Sequence, residues 1–258
     1  MGILKTEAVV LKGWNFGESS RILSVYSRDH GKVKLMAKGG RALKSKFRGC
    51  LEPLSRISIE YYDKRTRELQ LLSRSDLVDP HMRLLGDMRG TVLGLAALEL
   101  IDRAVAGEER SVEIYDLLSE TLSTLNGASG GFAEGVFWRF ETRFIGLMGY
   151  QPTWDNCLSC GSSLGKEGGY FQASSGGLLC AACGVSGGGL VVEGGTLDIL
   201  YWLQQAPAGE APRLEPSEGE KAAIRKMFDF YFKAHIEHIH GLESLKFLYE
   251  MESRPVPG

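Results

Sequence analysis

Four of the five cysteines stand in two Cys-x-x-Cys pairs, Cys157-Leu-Ser-Cys160 and Cys180-Ala-Ala-Cys183, with 19 residues between them. Each pair can place two thiolates on one tight turn, and two such turns close a tetrahedron of four sulfurs, which suits Zn²⁺. A sulfur-only set leaves no open position for water, so the spacing points to a structural metal rather than a catalytic one. Gly161 and Gly184 follow the second cysteine of each pair, where a residue without Cβ lets backbone N–H groups approach the charged sulfurs. Residues 156–189 are rich in glycine and too poor in apolar side chains to fold on a core of their own. Metal would supply the missing stability, on the order of 10–16 kcal/mol in finger peptides. The alternative is four free thiols in a domain that has lost its metal. Cys50, beside Leu51 in an apolar segment, reads as a small buried side chain.

The N-terminal part is constrained differently. Short runs at 6–11, 20–26, 32–38, 55–62 and 68–73 have the character of strands, broken by turn signals such as Asn15-Phe-Gly and Gly39-Gly40. Five such strands predict a small barrel. Val33, Leu35 and Ala37 alternate with Lys32, Lys34 and Lys38, interrupted only by Met36, so the period of two turns apolar residues inward and cations outward. The whole chain has a formal charge of −2, yet residues 1–80 hold 16 Lys/Arg against 9 Asp/Glu, leaving +7 there and −9 beyond. Seven cations without an acid (Lys32, Lys34, Lys38, Arg41, Lys44, Lys46, Arg48) crowd into residues 31–49. A polyanion is their natural partner. Phe47 lies among them either as a base-stacking ring or, more in keeping with a small barrel, as its plug, and Trp14 and Phe16 carry the same ambiguity.

At Asp79-Pro80 the pattern turns helical, with Asp as N-cap and Pro at the first helical position, which sets a domain boundary. Helices are expected from Ser111 to Asn126-Gly127, over about 131–148, and after the capping-box spacing Ser217-Glu-Gly-Glu220; residues 206–216, with three prolines, read as a linker. The resulting expectation is an α+β chain: a five-stranded barrel at 1–79, a mainly helical domain at 80–155 and 190–258, and a four-cysteine zinc insertion at 156–189. No stretch approaches the roughly 18 apolar residues of a membrane span. Lys5 and Glu7 stand where a secretory signal needs an apolar core, so a cytoplasmic protein is expected.

Enzyme signatures are weak. His235-Ile-Glu237 has the His-x-Glu form of zinc deaminases, but it follows the cysteines, and neither pair is preceded by proline. His235, His238 and His240 fit a helix C-terminus better than a second metal site. No phosphate-binding glycine loop is present in the sequence. A non-enzymatic protein is expected.

Three stretches resemble the RecO family of bacterial recombination mediators: Gly17-Glu-Ser-Ser-Arg-Ile-Leu-Ser-Val-Tyr26 with Gly31-Lys32; Ala37-Lys-Gly-Gly-Arg-Ala-Leu-Lys-Ser-Lys-Phe-Arg-Gly49 leading to Leu51-Glu-Pro-Leu54; and Arg143-Phe-Ile-Gly-Leu-Met-Gly-Tyr-Gln-Pro152 running into Cys157-Leu-Ser-Cys-Gly161. The resemblance implies an OB-fold barrel that binds single-stranded and also double-stranded DNA, a helical domain, and a zinc module held by Cys157, Cys160, Cys180 and Cys183. It implies annealing of complementary strands on SSB-coated DNA, a helical-domain pocket for the SSB C-terminal tail, RecA loading together with RecR, RecF as a further partner, and a nucleoid-associated place in the cytoplasm. DNA contact is carried onto Lys32, Lys34, Lys38, Arg41, Lys44, Lys46 and Arg48, with Arg21 beside them. The competing expectation is a zinc-containing protein-interaction scaffold whose barrel binds RNA or nothing; a zinc-dependent nucleic-acid enzyme is a third.

Overall fold

The computed structural model describes residues 2–64, 66–107, 109–128, 132–184, 189–236 and 241–252. The chain divides into two compact units, Met1–Ser129 with Leu242–Gly258, and Gly130–Gly241.

Five strands open the first unit: β1 (Gly2–Phe16), β2 (Ser20–Ser27), β3 (Gly31–Ala37), β4 (Arg56–Asp63) and β5 (Leu69–Asp79). They close into a barrel in the order β1-β2-β3-β5-β4, with β3 and β5 parallel and the other pairs antiparallel. This is the OB-fold arrangement, so the α+β expectation with an N-terminal OB barrel holds. The inward residues follow the period of two: Val33, Leu35 and Ala37 join Ala8, Val10, Leu23, Val25, Ile57 and Ile59 in the core. Phe47, Cys50 and Leu51 come from the long β3–β4 connection to plug the barrel, each at most 5% exposed. Phe47 is therefore core and not a stacking ring.

β1 outruns its expected limits at both ends, pairing with β4 through its first half and with β2 through its second, with an irregularity between Val10 and Lys12. Asp79-Pro80 does not start a helix. Asp79 still pairs with Arg56 in the barrel, and its Oδ1 accepts the His81 N–H at 2.8 Å. The helical turn begins two residues later, in α1 (Met82–Leu85). Asp87 then caps α2 (Met88–Ala104), accepting from the Arg89 and Gly90 N–H groups. α3 (Val112–Gly127) starts as expected at Ser111, whose Oγ accepts the Ile114 N–H at 3.2 Å.

In the second unit, α4 (Ala133–Leu147) ends before Gly149, which takes φ +85°. A four-stranded sheet, ordered β6-β8-β7-β9, comprises β6 (Thr153–Cys157), β7 (Gly169–Gln172), β8 (Gly177–Leu179) and β9 (Leu190–Val192). β7 and β8 pair antiparallel as a hairpin between the two cysteine pairs. α5 (Ala181–Gly184) is one turn, followed by α6 (Gly194–Gln205) and α7 (Glu218–His235), the latter opened by the Ser217–Glu220 capping box. The proline-bearing connection is not a free linker: Ala208–Arg213 forms a 3₁₀ helix, and a Cβ on Gly135 of α4 would collide with the Ala211 carbonyl beneath it. α8 (Glu243–Glu252) returns to the first unit, where Glu99 of α2 accepts the Glu243 and Ser244 N–H groups at 2.9 and 3.0 Å. Among the described residues no helix is long and apolar enough to cross a membrane.

Candidate nucleic-acid face and candidate metal centre

The eight candidate cations fall into two groups. Lys32, on β3, points its Nζ at the Asp102 carbonyl in the last turn of α2, at 2.8 Å, and burial pushes its pKa down. The Asp102 carboxylate accepts from Lys12 Nζ at 2.5 Å and from Ser24 Oγ at 3.0 Å, so one residue ties three side chains of the sheet to the helix end. Arg21 is clamped to Glu52, with Nη1 2.6 Å from Oε1 and Nη2 3.4 Å from Oε2. Lys46 donates to the Ser73 carbonyl at 2.6 Å and stands 5.0 Å over the Phe47 ring. Arg41 makes long contacts with the Gly17 and Glu18 carbonyls, at 3.5 and 3.3 Å.

Lys34, Lys38, Lys44 and Arg48 are exposed and form no ion pair or side-chain hydrogen bond with a described residue. Lys34 projects from β3, and the others lie on the connection that follows. That connection is braced against the barrel, because the Arg41 N–H donates to the Ser19 carbonyl at 2.8 Å and the Gly40 N–H to the Ala37 carbonyl at 3.1 Å. Three of the four cations thus sit on a loop braced against the barrel, and Lys34 on the strand that leads into it. Sequence spacing did not separate Lys32 from Lys34, since the carbonyl that takes up Lys32 lies 70 residues away. It also left out Lys12 and Asp102, which carry no local motif.

The four cysteines of the two pairs converge. Cys157 ends β6, Cys160 follows in its turn, Cys180 follows β8, and Cys183 lies in α5. Their sulfurs all lie within 4.8 Å of one another, and Cys160 Sγ is 3.8 Å from Cys180 Sγ. A tetrahedron with metal–sulfur bonds of about 2.3 Å has edges of about 3.8 Å, so the donor set fits such an ion. Each pair is wound on a matching turn: the Gly161 N–H donates to the Cys157 carbonyl and the Gly184 N–H to the Cys180 carbonyl, both at 2.8 Å. Backbone N–H groups, chiefly of Cys160 and Cys180, aim at the Cys157 sulfur and lower its pKa to about 6. Cys183, surrounded by the other sulfurs with Cys180 foremost, is pushed up to about 12. Four sulfurs this close repel one another as thiolates, so a cation among them favours their deprotonated forms. These four residues could hold a metal.

The sheet bearing the cluster rests on α7 through a run of rings. Trp154 meets Phe171 and Phe171 meets Tyr231, each at 6.1 Å, and Tyr231 meets His235 at 4.4 Å. His235 Nε2 lies 2.6 Å from the Ala173 carbonyl, which gives this histidine a structural place. His238 and His240 lie outside the described residues.

A closed OB barrel with a cationic loop, joined to helices and a four-cysteine cluster, defines an OB-fold protein with a metal-type module. Residues 1–81 match the family described as Recombination protein O N terminal, and residues 85–245 match Recombination protein O C terminal. A Streptomyces coelicolor protein named DNA repair protein RecO is 31% identical over 255 residues, covering 96% of this chain and 99% of its own. Proteins of the same name from Pelotomaculum thermopropionicum and Geobacter metallireducens are 29% and 32% identical, covering 99% and 75% of this chain and 97% and 78% of their own. The chain belongs to the RecO family.

Proposed function

We propose that this chain, a DNA repair protein by family, is a non-enzymatic recombination mediator. It binds single-stranded DNA, and double-stranded DNA as well, and anneals complementary strands. With RecR it helps load RecA onto strands coated by SSB, whose C-terminal tail it engages, and RecF is a further partner. It works in the cytoplasm, on the nucleoid. The observation that carries this reading is the set of four exposed cations without an intrachain partner among the described residues, Lys34, Lys38, Lys44 and Arg48, on the OB barrel of a RecO-family chain. Cations held on a strand and on the braced loop that follows it grip phosphates without reading sequence, and this leaves bases available for pairing. Arg41 and Lys46, exposed and bonded only to neutral carbonyls, can add to this grip; Arg21 is taken up by Glu52, and Lys32, half-buried, is drawn against the Asp102 carbonyl at the end of α2.

The cysteine cluster supports Zn²⁺ in a structural role, because four sulfurs at tetrahedral spacing leave no site for a reacting water. The ion would fasten β6, β8 and α5 together.

The test is annealing of complementary oligonucleotides precoated with SSB, followed by RecA assembly with and without RecR. Acceleration of annealing, and RecA assembly that needs both this chain and RecR, is the expected result. No acceleration would favour the interaction scaffold, and covalent change of the DNA abolished by chelation would favour an enzyme.

A further inference from the structure

Two aromatic rings stand in water on the same barrel. Trp14 is 40% exposed and Phe16 50% exposed. They lie two residues apart on β1 and so share a face. Gly13, the strand neighbour of Trp14, faces the Leu23 side chain in the barrel core, so the alternation turns both rings outward.

The register shows what surrounds them. Trp14 pairs with Ile22, Ile22 with Met36, and Met36 with Leu71, so one apolar row crosses β1, β2, β3 and β5 on the outer face. The adjacent row is Lys12, Ser24, Lys34 and Leu69. On the other side Phe16 pairs with Ser20, with Lys38 just past the end of β3 and Arg41 reaching the Gly17 carbonyl that follows Phe16. An apolar row that begins at Trp14, with Phe16 beside it at the end of β1, is thus flanked by cations on both sides. Lys12 Nζ stands 6.0 Å from the Trp14 ring centre. Further along the same face the sheet is closed: Asp102 occupies Lys12, Ser24 and Lys32, and the Tyr26 hydroxyl meets the Ser111 carbonyl at 3.3 Å.

We propose that Trp14 and Phe16 form a base-stacking platform for single-stranded nucleic acid, with Lys34, Lys38 and Arg41 holding the flanking phosphates and Asp102 marking where the strand must leave the sheet. This rests on the DNA-binding reading above and names the residues that take the bases. Rings at i and i+2 of a strand are separated by about 6.8 Å, twice the roughly 3.4 Å per nucleotide of a B-form strand, so successive bases on the two rings belong to a stretched strand. Stacking occupies the face of a base and leaves its Watson–Crick edge in water. A base held this way remains open to a complementary strand, whereas duplex bases, stacked on one another, have no face to offer. The platform therefore selects single strands without impeding annealing.

The test compares the full chain with the double variant Trp14→Ala/Phe16→Ala for binding of oligothymidylate, of an abasic oligomer of equal length, and of a duplex. Stacking is worth about 1–3 kcal/mol per base, so each ring removed weakens oligothymidylate binding by roughly five- to 150-fold. Binding of the abasic oligomer and of the duplex stays unchanged. The variant Trp14→Phe/Phe16→Tyr, which keeps both rings, restores oligothymidylate binding and excludes a damaged barrel. Equal loss on all three ligands, or no loss on oligothymidylate while Lys34→Gln/Lys38→Gln weakens it, overturns the platform and leaves the DNA-binding reading standing. Failure of the unaltered chain to bind oligothymidylate overturns both.

Discussion

Replacing Lys34, Lys38, Lys44 and Arg48 together by Gln separates the cations that the fold leaves free from those it consumes. Each phosphate neutralised on a single strand contributes about −0.7 to the slope of log affinity against log salt. Four contacts give a slope of about −2.8, so raising salt fourfold weakens binding about fifty-fold. The quadruple variant should lose this component, while Arg21→Gln should leave the slope in place, because that guanidinium already faces Glu52 at 2.6 Å. Lys32→Gln should also leave the slope unaltered. It should instead cost stability, about 0.5–1.5 kcal/mol for the lost hydrogen bond to the Asp102 carbonyl, read as a lower urea midpoint. Fluorescence anisotropy of a labelled oligothymidylate across a salt series gives the three slopes. An unchanged slope in the quadruple variant, or flattening by Lys32→Gln alone, would refute the assignment.

Phe47→Ala should destabilise the barrel by about 3–5 kcal/mol, since its ring is 1% exposed, and urea unfolding of the purified variant beside the unaltered chain tests this. Zn²⁺ affinity should climb as pH rises, because the metal takes thiolates and protons compete for them, each of the four thiols releasing its proton to water as its sulfur binds the ion. A competition titration with a chelating dye across pH reads the slope; a flat profile would contradict it. Glu141, buried in α4 with the Glu134 carboxylate nearby, has its pKa raised by desolvation first and by Glu134 second. A carboxyl protonated in the fold but ionised when unfolded contributes stability below its unfolded pKa and loses it as pH rises toward the folded value. Glu141→Gln should therefore raise the urea midpoint at pH 7 and leave it unmoved near pH 4; equal gains at both would show that titration is not the cause.

What the sequence made legible was what local spacing controls. The cysteine pairs were readable because two residues between thiols fix a turn, and the inward set Val33, Leu35 and Ala37 because a strand has a period of two. Ser217 and Glu220 announced a helix start through contacts three residues long. Local spacing falls short where distant chain decides. Asp79-Pro80 has good helix-start chemistry, yet pairing with Arg56 keeps Asp79 in the barrel. Residues 206–216 have a linker's composition, but packing against α4 gives them helical turns. Lys32 and Lys34 are alike in sequence, and only the end of α2 tells them apart. The exposure of Trp14 and Phe16 was equally hidden, because alternation assigns a face without saying whether anything covers it.

Cations on the barrel with no partner among the described residues are proposed to hold single strands while the bases stay open to pairing. Annealing of complementary oligonucleotides by the full chain, beside the Lys34, Lys38, Lys44 and Arg48 variant, tests it most directly. The unaltered chain should accelerate annealing and the variant should not, at an unchanged urea midpoint; acceleration that survives neutralisation of all four residues would refute this role for them.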